Sequence, residues 1–337
     1  MIRVGVIGYG YWGPNLVRNF ALTQASQVVA ISDLDQERLA NAQQLYNGVK
    51  VTTDSHELIT DTTVDAVVIA TPVSTHFDLA NQALQEGKHV LVTKPLASNS
   101  EQAHRLIEQS AGRNRVLMVD HTFIYTGAVK KIKELVQNGK LGDIFYYDSV
   151  RINLGLFQHD VNVIWDLAVH DLSIMDYILS TQPRSVSATG MSHVQDQPEN
   201  VAFLTLFFDN SLIAHLHVNW LAPVKIRRTL ISGSKNMVVY DDLEPSEKVK
   251  VYDRGIDVVA DQKSIYEMLV GYRSGDMLAP QLDRTEALRT EVSHFIQCID
   301  TGETPLTDGE SGLRVVKILE AATQSMKNQG KLETLAS

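Results

Sequence analysis

The stretch Ile2–Gly13, IRVGVIGYGYWG, begins with an apolar run of six residues and ends in three glycines with the spacing G-x-G-x-x-G. The apolar run predicts a buried strand, and the amphipathic stretch Pro14–Thr23 predicts a helix directly after the glycines. In such a turn Gly8 permits the tight bend, Gly10 lets the backbone approach a pyrophosphate, and Gly13 lets the helix pack closely on the strand. The sequence therefore predicts a dinucleotide site at the N-terminus of this helix.

An acidic residue completes this pattern. Asp33 lies 20 residues after Gly13, at the end of the second apolar run, Gln27–Ser32. A carboxylate at this position accepts hydrogen bonds from ribose hydroxyls and repels a 2′-phosphate, so the pattern favours NAD over NADP. Ser32 and Arg38 are residues that would make NADP tolerable, and they leave the strictness of that preference open.

Predicted strands and helices alternate up to about residue 121, which is typical of βαβ units and a doubly wound parallel sheet. The predicted strands after the first two are Asp65–Ala70, His89–Thr93 and Arg115–Val119, and the predicted helices are Asp35–Tyr46, Phe77–Glu86 and Ser100–Ala111. We therefore expect residues 1–121 to form an α/β Rossmann domain that binds NAD.

The pattern changes in residues 122–337, where we expect an α+β domain for substrate binding and oligomerisation, with an open, mostly antiparallel sheet. Its predicted helices are Ala128–Gln137, Val163–Leu179, Arg284–Asp300 and Gly309–Asn328, and the last of them can pack back on the first domain. Its predicted strands are Ile144–Leu154, Ser185–Thr189, Val201–Phe208, Leu212–Leu221, Arg227–Ser232, Met237–Asp241 and Val249–Tyr252.

Composition narrows the class of protein. Thirty basic and forty acidic residues give a net charge of −10, which argues against a nucleic-acid partner. No apolar run approaches the roughly 18 residues of a membrane span. A single cysteine, Cys298, fits a reducing compartment, so we expect a cytoplasmic protein.

Four ordered segments carry a family resemblance. They are the glycine turn, Ala70–His76 (ATPVSTH), Gly87–Pro95 (GKHVLVTKP) and Trp165–Asp171 (WDLAVHD). Together they resemble the Gfo/Idh/MocA family of sugar and polyol dehydrogenases, and the resemblance covers essentially the whole chain. Val119-Asp120-His121 follows a further strand end, where ligands bind in open α/β sheets.

The Asp-x-x-x-His pair has a direct chemical interpretation. Asp166 and His170 stand four residues apart, so they share one face of the predicted helix. Histidine can take and return a hydroxyl proton near neutral pH, and a cation such as Lys94 stabilises a developing alkoxide. The resemblance implies that Lys94 and His170 contact the reacting hydroxyl, that Asp166 fixes the arrangement, and that the Lys94–Pro95 bond is cis.

One residue departs from the family pattern. Thr93 stands where the family usually has a glutamate before the lysine, which changes the local charge beside Lys94. This departure motivates an alternative from another class, a regulatory protein that senses NAD and has lost turnover. The intact Lys94, Asp166 and His170 argue against that alternative.

The resemblance also implies the residues that contact each ligand. The expected NAD contacts are Gly8, Gly10, Tyr11, Trp12, Gly13, Asp33, Thr71, Pro72, His76, Lys94, Pro95, His121 and Trp165. The expected substrate contacts are Lys94, His121, Arg151, Asn153, Asp166, His170 and Arg273, with the two arginines suited to a diphosphate. His215 and His217 alternate on a strand without a supporting cysteine or carboxylate cluster, so no metal site is expected.

The second domain gives hints about the substrate. Arg151–Gly155, Trp165–Tyr177, Asn219–Lys225 and Tyr272–Asp276 resemble a subgroup that includes UDP-N-acetylglucosamine 3-dehydrogenases. We therefore expect oxidation of a small-molecule sugar, a nucleotide sugar at C3 of a UDP-linked N-acetylhexosamine, by NAD. The alternatives are an inositol or polyol dehydrogenase and a ketosugar reductase. Because an open antiparallel sheet exposes a broad face and relatives cover it by pairing subunits, we also expect a homodimer or homotetramer.

Overall fold

The structure is a computed structural model that describes residues 1–155, 161–253, 255–258, 270–273 and 275–335, with the backbone alone for 255–258 and 270–273. The chain divides into two compact units. Unit 1 contains Met1–Tyr125 and Thr285–Glu320, and unit 2 contains Thr126–Arg284 and Ala321–Ser337. The chain therefore enters unit 1 twice, first with its N-terminal third and again near its C-terminus.

The bounds of the strands in chain order are β1 (Ile2–Ile7), β2 (Ser26–Ser32), β3 (Lys50–Thr52), β4 (Ala66–Ile69), β5 (His89–Thr93), β6 (Leu117–Asp120), β7 (Ile144–Leu154), β8 (Ser185–Met191), β9 (Val201–Phe207), β10 (Ile213–Asn219), β11 (Leu221–Gly233), β12 (Met237–Asp241), β13 (Val249–Tyr252), β14 (Gly255–Val258), β15 (Val270–Arg273), β16 (Met277–Leu278) and β17 (Glu333–Thr334). The bounds of the α-helices are α1 (Gly13–Leu22), α2 (Gln36–Leu45), α3 (Ser55–Thr60), α4 (His76–Gln85), α5 (Ser100–Gly112), α6 (Gly127–Gln137), α7 (Val169–Ile178), α8 (Ala287–Thr301) and α9 (Gly309–Lys327).

Unit 1 is built on a parallel sheet with the strand order β3-β2-β1-β4-β5-β6. This is the order of a dinucleotide-binding Rossmann domain, and it confirms the predicted fold class. The central strands β4 and β5 are almost continuously apolar and buried, because helices cover both faces of such a sheet. The short elements β3 and α3 had no counterpart in the sequence prediction.

Unit 2 is built on a mixed, mostly antiparallel sheet with the order β16-β13-β12-β11-β7-β10-β9-β8-β17. β7 lies in its middle and runs parallel to β10, while β9 and β10 form an antiparallel hairpin around residues 209–211. Alternate residues of β9 and β10 are buried, so one face of the sheet carries the core of this unit. The prediction of an open, mostly antiparallel sheet is confirmed.

The predicted helix Val163–Leu179 has an irregular first half. Ile164–Ala168 form a π-helix, in which the amide of Val169 bonds to the carbonyl of Ile164, and α7 continues from there. π turns inside helices occur frequently at functional sites. In the described part of the chain, no helix has both the length and the apolar composition needed to cross a bilayer.

Candidate active site

The predicted cofactor segments of unit 1 meet at one edge of its sheet. β1, β4, β5 and β6 are parallel neighbours, with Ile7 opposite Ile69 and Thr93 opposite Asp120. Their carboxyl ends therefore lead side by side into the glycine turn and into the loops that carry Thr71, Pro72, Lys94 and His121. The strand order reverses between β1 and β4, and open α/β sheets bind ligands in the crevice at such a point.

The glycine turn has the geometry that a dinucleotide requires. Gly8 has a φ of +95°, and a Cβ atom there would lie 2.4 Å from the carbonyl oxygen of Ala70. A Cβ atom at Gly13 would lie 2.1 Å from the carbonyl oxygen of Gly8, so a side chain would separate α1 from the turn. At Gly10 a Cβ atom would meet only the Arg38 guanidinium, at 3.4 Å. The turn thus leaves its space open at Gly10, where a pyrophosphate would approach the backbone.

Asp33 follows β2, and only 8% of its side chain is exposed. One carboxylate oxygen accepts the Tyr9 amide at 2.5 Å and the other accepts the Asp35 amide at 2.9 Å. Arg38 lies on its outer side, with Nη1 3.7 Å from Oδ1 of Asp33. Asp33 therefore orders the glycine turn and keeps lone pairs for ribose hydroxyls, while Arg38 stands where a 2′-phosphate would need a cation.

The two aromatic residues of the turn have different surroundings. Tyr11 is 87% exposed, which leaves its ring accessible to a ligand. Trp12 is half-buried, and its indole nitrogen donates a 2.6 Å hydrogen bond to Asp120 at the end of β6. Trp12 therefore ties the start of α1 to the far side of the parallel sheet.

His76 has a structural position among the strand-end loops. Its ring is buried, with Nδ1 2.8 Å from the Pro95 carbonyl oxygen and Nε2 2.9 Å from the Thr71 carbonyl oxygen. It thereby joins the loop after β4 to the loop after β5. Thr93 Oγ1 lies 3.4 Å from the same ring, so the residue that departs from the family pattern contacts this bridge. The Lys94–Pro95 bond is cis, as the resemblance implies, and Lys94 is half-buried.

In unit 2, Asp166 lies in the π turn and His170 in the first turn of α7. Trp220 is fully buried between β10 and β11, and its indole nitrogen donates a 3.0 Å hydrogen bond to Oδ2 of Asp166. Trp220 also packs on Gly155, where a Cβ atom would lie 2.6 Å from the indole ring. The Asp166 carboxylate is thus oriented by a rigid aromatic donor, and the Nδ1 atom of His170 is buried near it along the helix.

Arg151 does not have the surroundings of a diphosphate ligand. Its guanidinium is buried in unit 2 and bonds to both carboxylate oxygens of Asp171, at 2.8 and 3.1 Å. This bidentate pair gives Arg151 a structural role between β7 and α7. Asn153 is half-buried on β7, and the side chain of Arg273 lies outside the described residues.

Two further residues have partners that the sequence did not indicate. The Trp165 indole donates to Thr323 at 3.0 Å, and the Trp220 indole donates to Asp166. Thr323 and Trp220 both lie far from their partners along the chain, so no local spacing could reveal these contacts.

Glu291 is a further residue that no sequence motif indicates, and it lies buried beside Asp120.

His215 and His217 lie on the exposed face of the unit 2 sheet. The His215 ring bonds to Asp148 at 3.1 Å, and the His217 ring stacks on Phe203 at 4.5 Å. Burial, and then the neighbouring His215, lower the pKa of His217. Across the described side chains, no group of three or more His, Cys, Asp or Glu residues is arranged to hold a metal ion.

Comparison with known proteins places this geometry in a family. Residues 2–121 match the family model described as an oxidoreductase family, NAD-binding Rossmann fold, and residues 133–334 match that of the C-terminal alpha/beta domain of the same family. A myo-inositol 2-dehydrogenase from Thermotoga maritima is 27% identical, with 98% of this chain and 99% of that protein aligned.

A UDP-N-acetylglucosamine 3-dehydrogenase from Acidithiobacillus ferrooxidans is 29% identical, with 94% of each chain aligned. A solved structure of that enzyme has a TM-score of 0.81 at 26% identity, covering 97% of this chain and 98% of that chain. The solved structure of a levoglucosan dehydrogenase in complex with NADH and levoglucosan has the same fold, with a TM-score of 0.84 over the whole of both chains. Its identity of 20% supports the fold alone. The chain belongs to the Gfo/Idh/MocA family and is an NAD-dependent oxidoreductase that acts on CH–OH groups.

Proposed function

We propose that this enzyme oxidises a ring hydroxyl of a sugar to a ketone, at C3 of a UDP-linked N-acetylhexosamine, with NAD as the acceptor. The observation that carries the proposal is the hydrogen bond from the Trp220 indole to the Asp166 carboxylate. Asp166 lies in the π turn, four residues before His170. A carboxylate held in this way can fix a neighbouring histidine as a general base. The tight packing at Gly8 and Gly13, together with the bond from the Tyr9 amide to Asp33, supports a cofactor site at the glycine turn.

Each residue has a separate role in this reaction. His170 takes the proton of the substrate hydroxyl, and Lys94 places its positive charge on the same oxygen as alkoxide character develops. Asp166 stabilises the protonated form of His170 and limits its orientation. NAD, when bound, supplies the hydride acceptor, and the glycine turn, Asp33 and the loop with Thr71 would hold it.

The nucleotide-sugar substrate is supported by the similarity to the UDP-N-acetylglucosamine 3-dehydrogenase along nearly the whole chain. The buried pair of Arg151 and Asp171 removes one of the two arginines that we expected to hold a diphosphate. Asn153, half-buried on β7, carries an amide that can bond to a sugar hydroxyl or to an acetamido group.

A second candidate substrate is an inositol or a related polyol. Two observations favour it: the similarity to the Thermotoga maritima myo-inositol dehydrogenase along 98% of this chain, and the structural use of Arg151. An uncharged ring polyol needs hydrogen-bonding side chains and no phosphate-binding arginine. The same roles of His170 and Lys94 would serve this substrate.

The test is formation of NADH, followed by absorbance, with UDP-N-acetylhexosamines, inositols and free hexoses as substrates. The variant His170→Ala should lower kcat by about 10²- to 10⁴-fold while NADH binding stays within about twofold of the wild type. His104→Ala, at an exposed histidine on α5, is the matched control and should keep full activity.

The outcomes separate the candidates. Turnover of UDP-N-acetylhexosamines alone supports the primary proposal, and turnover of inositols alone replaces it with the second candidate. Full activity in His170→Ala would exclude His170 as the base. Binding of NADH without turnover of any substrate in either direction would favour the NAD-sensing alternative, for which Thr93 is the motivation.

We further propose that the enzyme is a homodimer or homotetramer in solution. The exposed face of the unit 2 sheet carries Phe203, Phe207 and Ile213, each more than a third exposed. Exposed apolar side chains gathered on one face of a sheet are typical of an interaction surface.

A further inference from the structure

A buried polar cluster lies at the end of β6, beneath the glycine turn. Asp120 is buried, and its two carboxylate oxygens accept separate hydrogen bonds. One comes from the Trp12 indole at 2.6 Å and the other from the Thr122 hydroxyl at 2.5 Å. Asp120 is therefore the group that fixes the side chain of Trp12, the residue that immediately precedes α1.

Glu291 brings a second carboxyl group to this cluster. It lies in the second turn of α8, is fully buried, and meets Asp120 and Thr122. Neither of its carboxyl oxygens makes a hydrogen bond of standard geometry to a described residue. Two ionised carboxylates in one buried site would repel each other at a large electrostatic cost, so we expect one of the two groups to be protonated.

The surroundings of Glu291 favour the protonated acid. Burial, and then the negative charge of Asp120, raise the pKa of Glu291 well above its ordinary value. Nearby titratable side chains include that of His121, which is buried and follows Asp120 in the chain. They also include Tyr125, whose pKa is raised by burial and by Glu291 itself, and His294 and Cys298 on α8.

The helix that carries Glu291 is packed on the helix that the glycine turn begins. Arg18 of α1 bonds to Glu286 ahead of α8 at 2.5 Å, and Phe20 of α1 meets Phe295 of α8 edge to face at 6.2 Å between ring centroids. α8 is thus a second support of the turn, contributed by the C-terminal part of unit 1. Glu291 provides the polar contact between α8 and Asp120.

We propose that Glu291 is a positioning residue for the cofactor site, acting through Asp120 and Trp12. A proton on Glu291 joins the two carboxyl groups, Asp120 keeps its other lone pairs for Trp12 and Thr122, and Trp12 holds the glycine turn at the N-terminus of α1. An apolar side chain would fill the same volume but would leave Asp120 without this donor. The inference rests on the cofactor site of the proposed function and is independent of the substrate.

The experiment measures the Kd for NADH by fluorescence titration, without substrate, in four variants. Glu291→Gln keeps an uncharged donor for Asp120 and should bind NADH within about twofold of the wild type. Glu291→Leu should raise the Kd about fivefold, the effect of one lost hydrogen bond. Trp12→Phe, which removes only the indole donor, should raise it by a similar factor.

The double variant decides whether the residues act in one chain of contacts. If Glu291 acts through Trp12, Glu291→Leu should add less than a further twofold in the Trp12→Phe background. Independent, multiplying effects would overturn the proposal, and so would wild-type affinity in Trp12→Phe or equal losses in Glu291→Gln and Glu291→Leu. Trp12→Phe leaves the buried acid pair in place, so it tests the inference even if Glu291→Leu does not fold.

A third position separates this inference from the cofactor site itself. Gly10→Val places a branched side chain where the turn is open and should abolish NADH binding. If Gly10→Val binds NADH normally, the proposed cofactor site is wrong. If Gly10→Val fails to bind and Glu291→Leu binds normally, the site stands and the role of Glu291 is wrong.

Discussion

At the scale of single residues, Asp33 combines a structural and a specificity role. Its carboxylate orders the turn through the Tyr9 amide, and its charge opposes a 2′-phosphate, while Arg38 lies 3.7 Å away. A substitution that removes the charge and keeps the acceptor separates the two roles. Asp33→Asn retains an oxygen for the Tyr9 amide and removes the repulsion.

We therefore predict that Asp33→Asn shifts the ratio of kcat/KM for NADP to that for NAD upward by about tenfold, equivalent to about 1.4 kcal/mol. Steady-state kinetics with both cofactors measure this ratio. Adding Arg38→Ala should cancel the gain with NADP, because the guanidinium is the cation beside the site. An unchanged ratio in Asp33→Asn would mean that another residue sets the preference.

His89 predicts a pH dependence of stability. Burial, and then the positive charge of Arg115, lower its pKa to about 4, and its Nδ1 accepts the Val116 amide at 3.1 Å. Below its ordinary pKa of about 6.5 the unfolded chain binds a proton that the folded protein refuses. The contribution of His89 to stability is therefore complete above pH 6.5 and is lost as the pH falls toward 4.

The variant His89→Gln should lose less stability than the wild type between pH 7 and pH 4.5. The ring is partly exposed, so solvent screening reduces the expected difference to about 1 kcal/mol. Urea unfolding at the two pH values measures it, and His104→Gln on the exposed side of α5 is the control. Parallel losses in His89→Gln and the wild type would contradict this assignment.

At the scale of secondary-structure elements, the π turn of Ile164–Ala168 is the feature that the sequence did not predict. The spacing of Asp166 and His170 is equally compatible with a regular helix. What distinguishes the site is a contact with Trp220, which lies 54 residues from Asp166. A single sequence contains no local signal for such a contact. The glycine turn and Asp33 could be predicted because they occur within one βαβ unit at a fixed spacing.

The same difference explains the other outcomes. The strand order of unit 1 follows from alternating strands and helices, and the ends of β1, β4, β5 and β6 meet because parallel strands share an edge. β3 and α3 were missed because three- and six-residue elements carry too little periodicity. Arg151 was interpreted from its charge alone, and its partner Asp171 came from packing between β7 and α7.

The π turn gives a prediction about catalysis. Trp220→Phe keeps most of the buried volume and removes the donor to Asp166, so kcat should fall about fivefold while KM for NAD is unchanged. Asp166→Asn tests the coupling, since Trp220→Phe should have little further effect in that background. Equal loss from Trp220→Phe in both backgrounds would show that Trp220 acts through packing alone.

At the scale of the whole molecule, the two faces of the unit 2 sheet differ in composition and exposure. Leu204, Leu206 and Leu216 point into the core, while the alternate positions of the same strands are exposed. On that exposed face Ile213 stands opposite Phe207 and His217 stands opposite Phe203. The polar pair of His215 and Thr205 lies between these two pairs on the same face. A partner subunit on this face would remove Phe203, Phe207 and Ile213 from water.

We therefore predict that the wild type is a dimer or tetramer by size-exclusion chromatography with light scattering. Phe203→Asp should weaken assembly at least about tenfold, because association would bury the introduced charge without a partner. Leu45→Asp is the matched control: Leu45 ends α2 in unit 1 and is 72% exposed, and the assembly should remain intact. A monomeric wild type, or a folded Phe203→Asp variant that assembles normally, would show that this face serves another purpose. Loss of assembly with retained NADH binding would place subunit contact and cofactor binding on separate surfaces, as the separate cores of the two units lead us to expect.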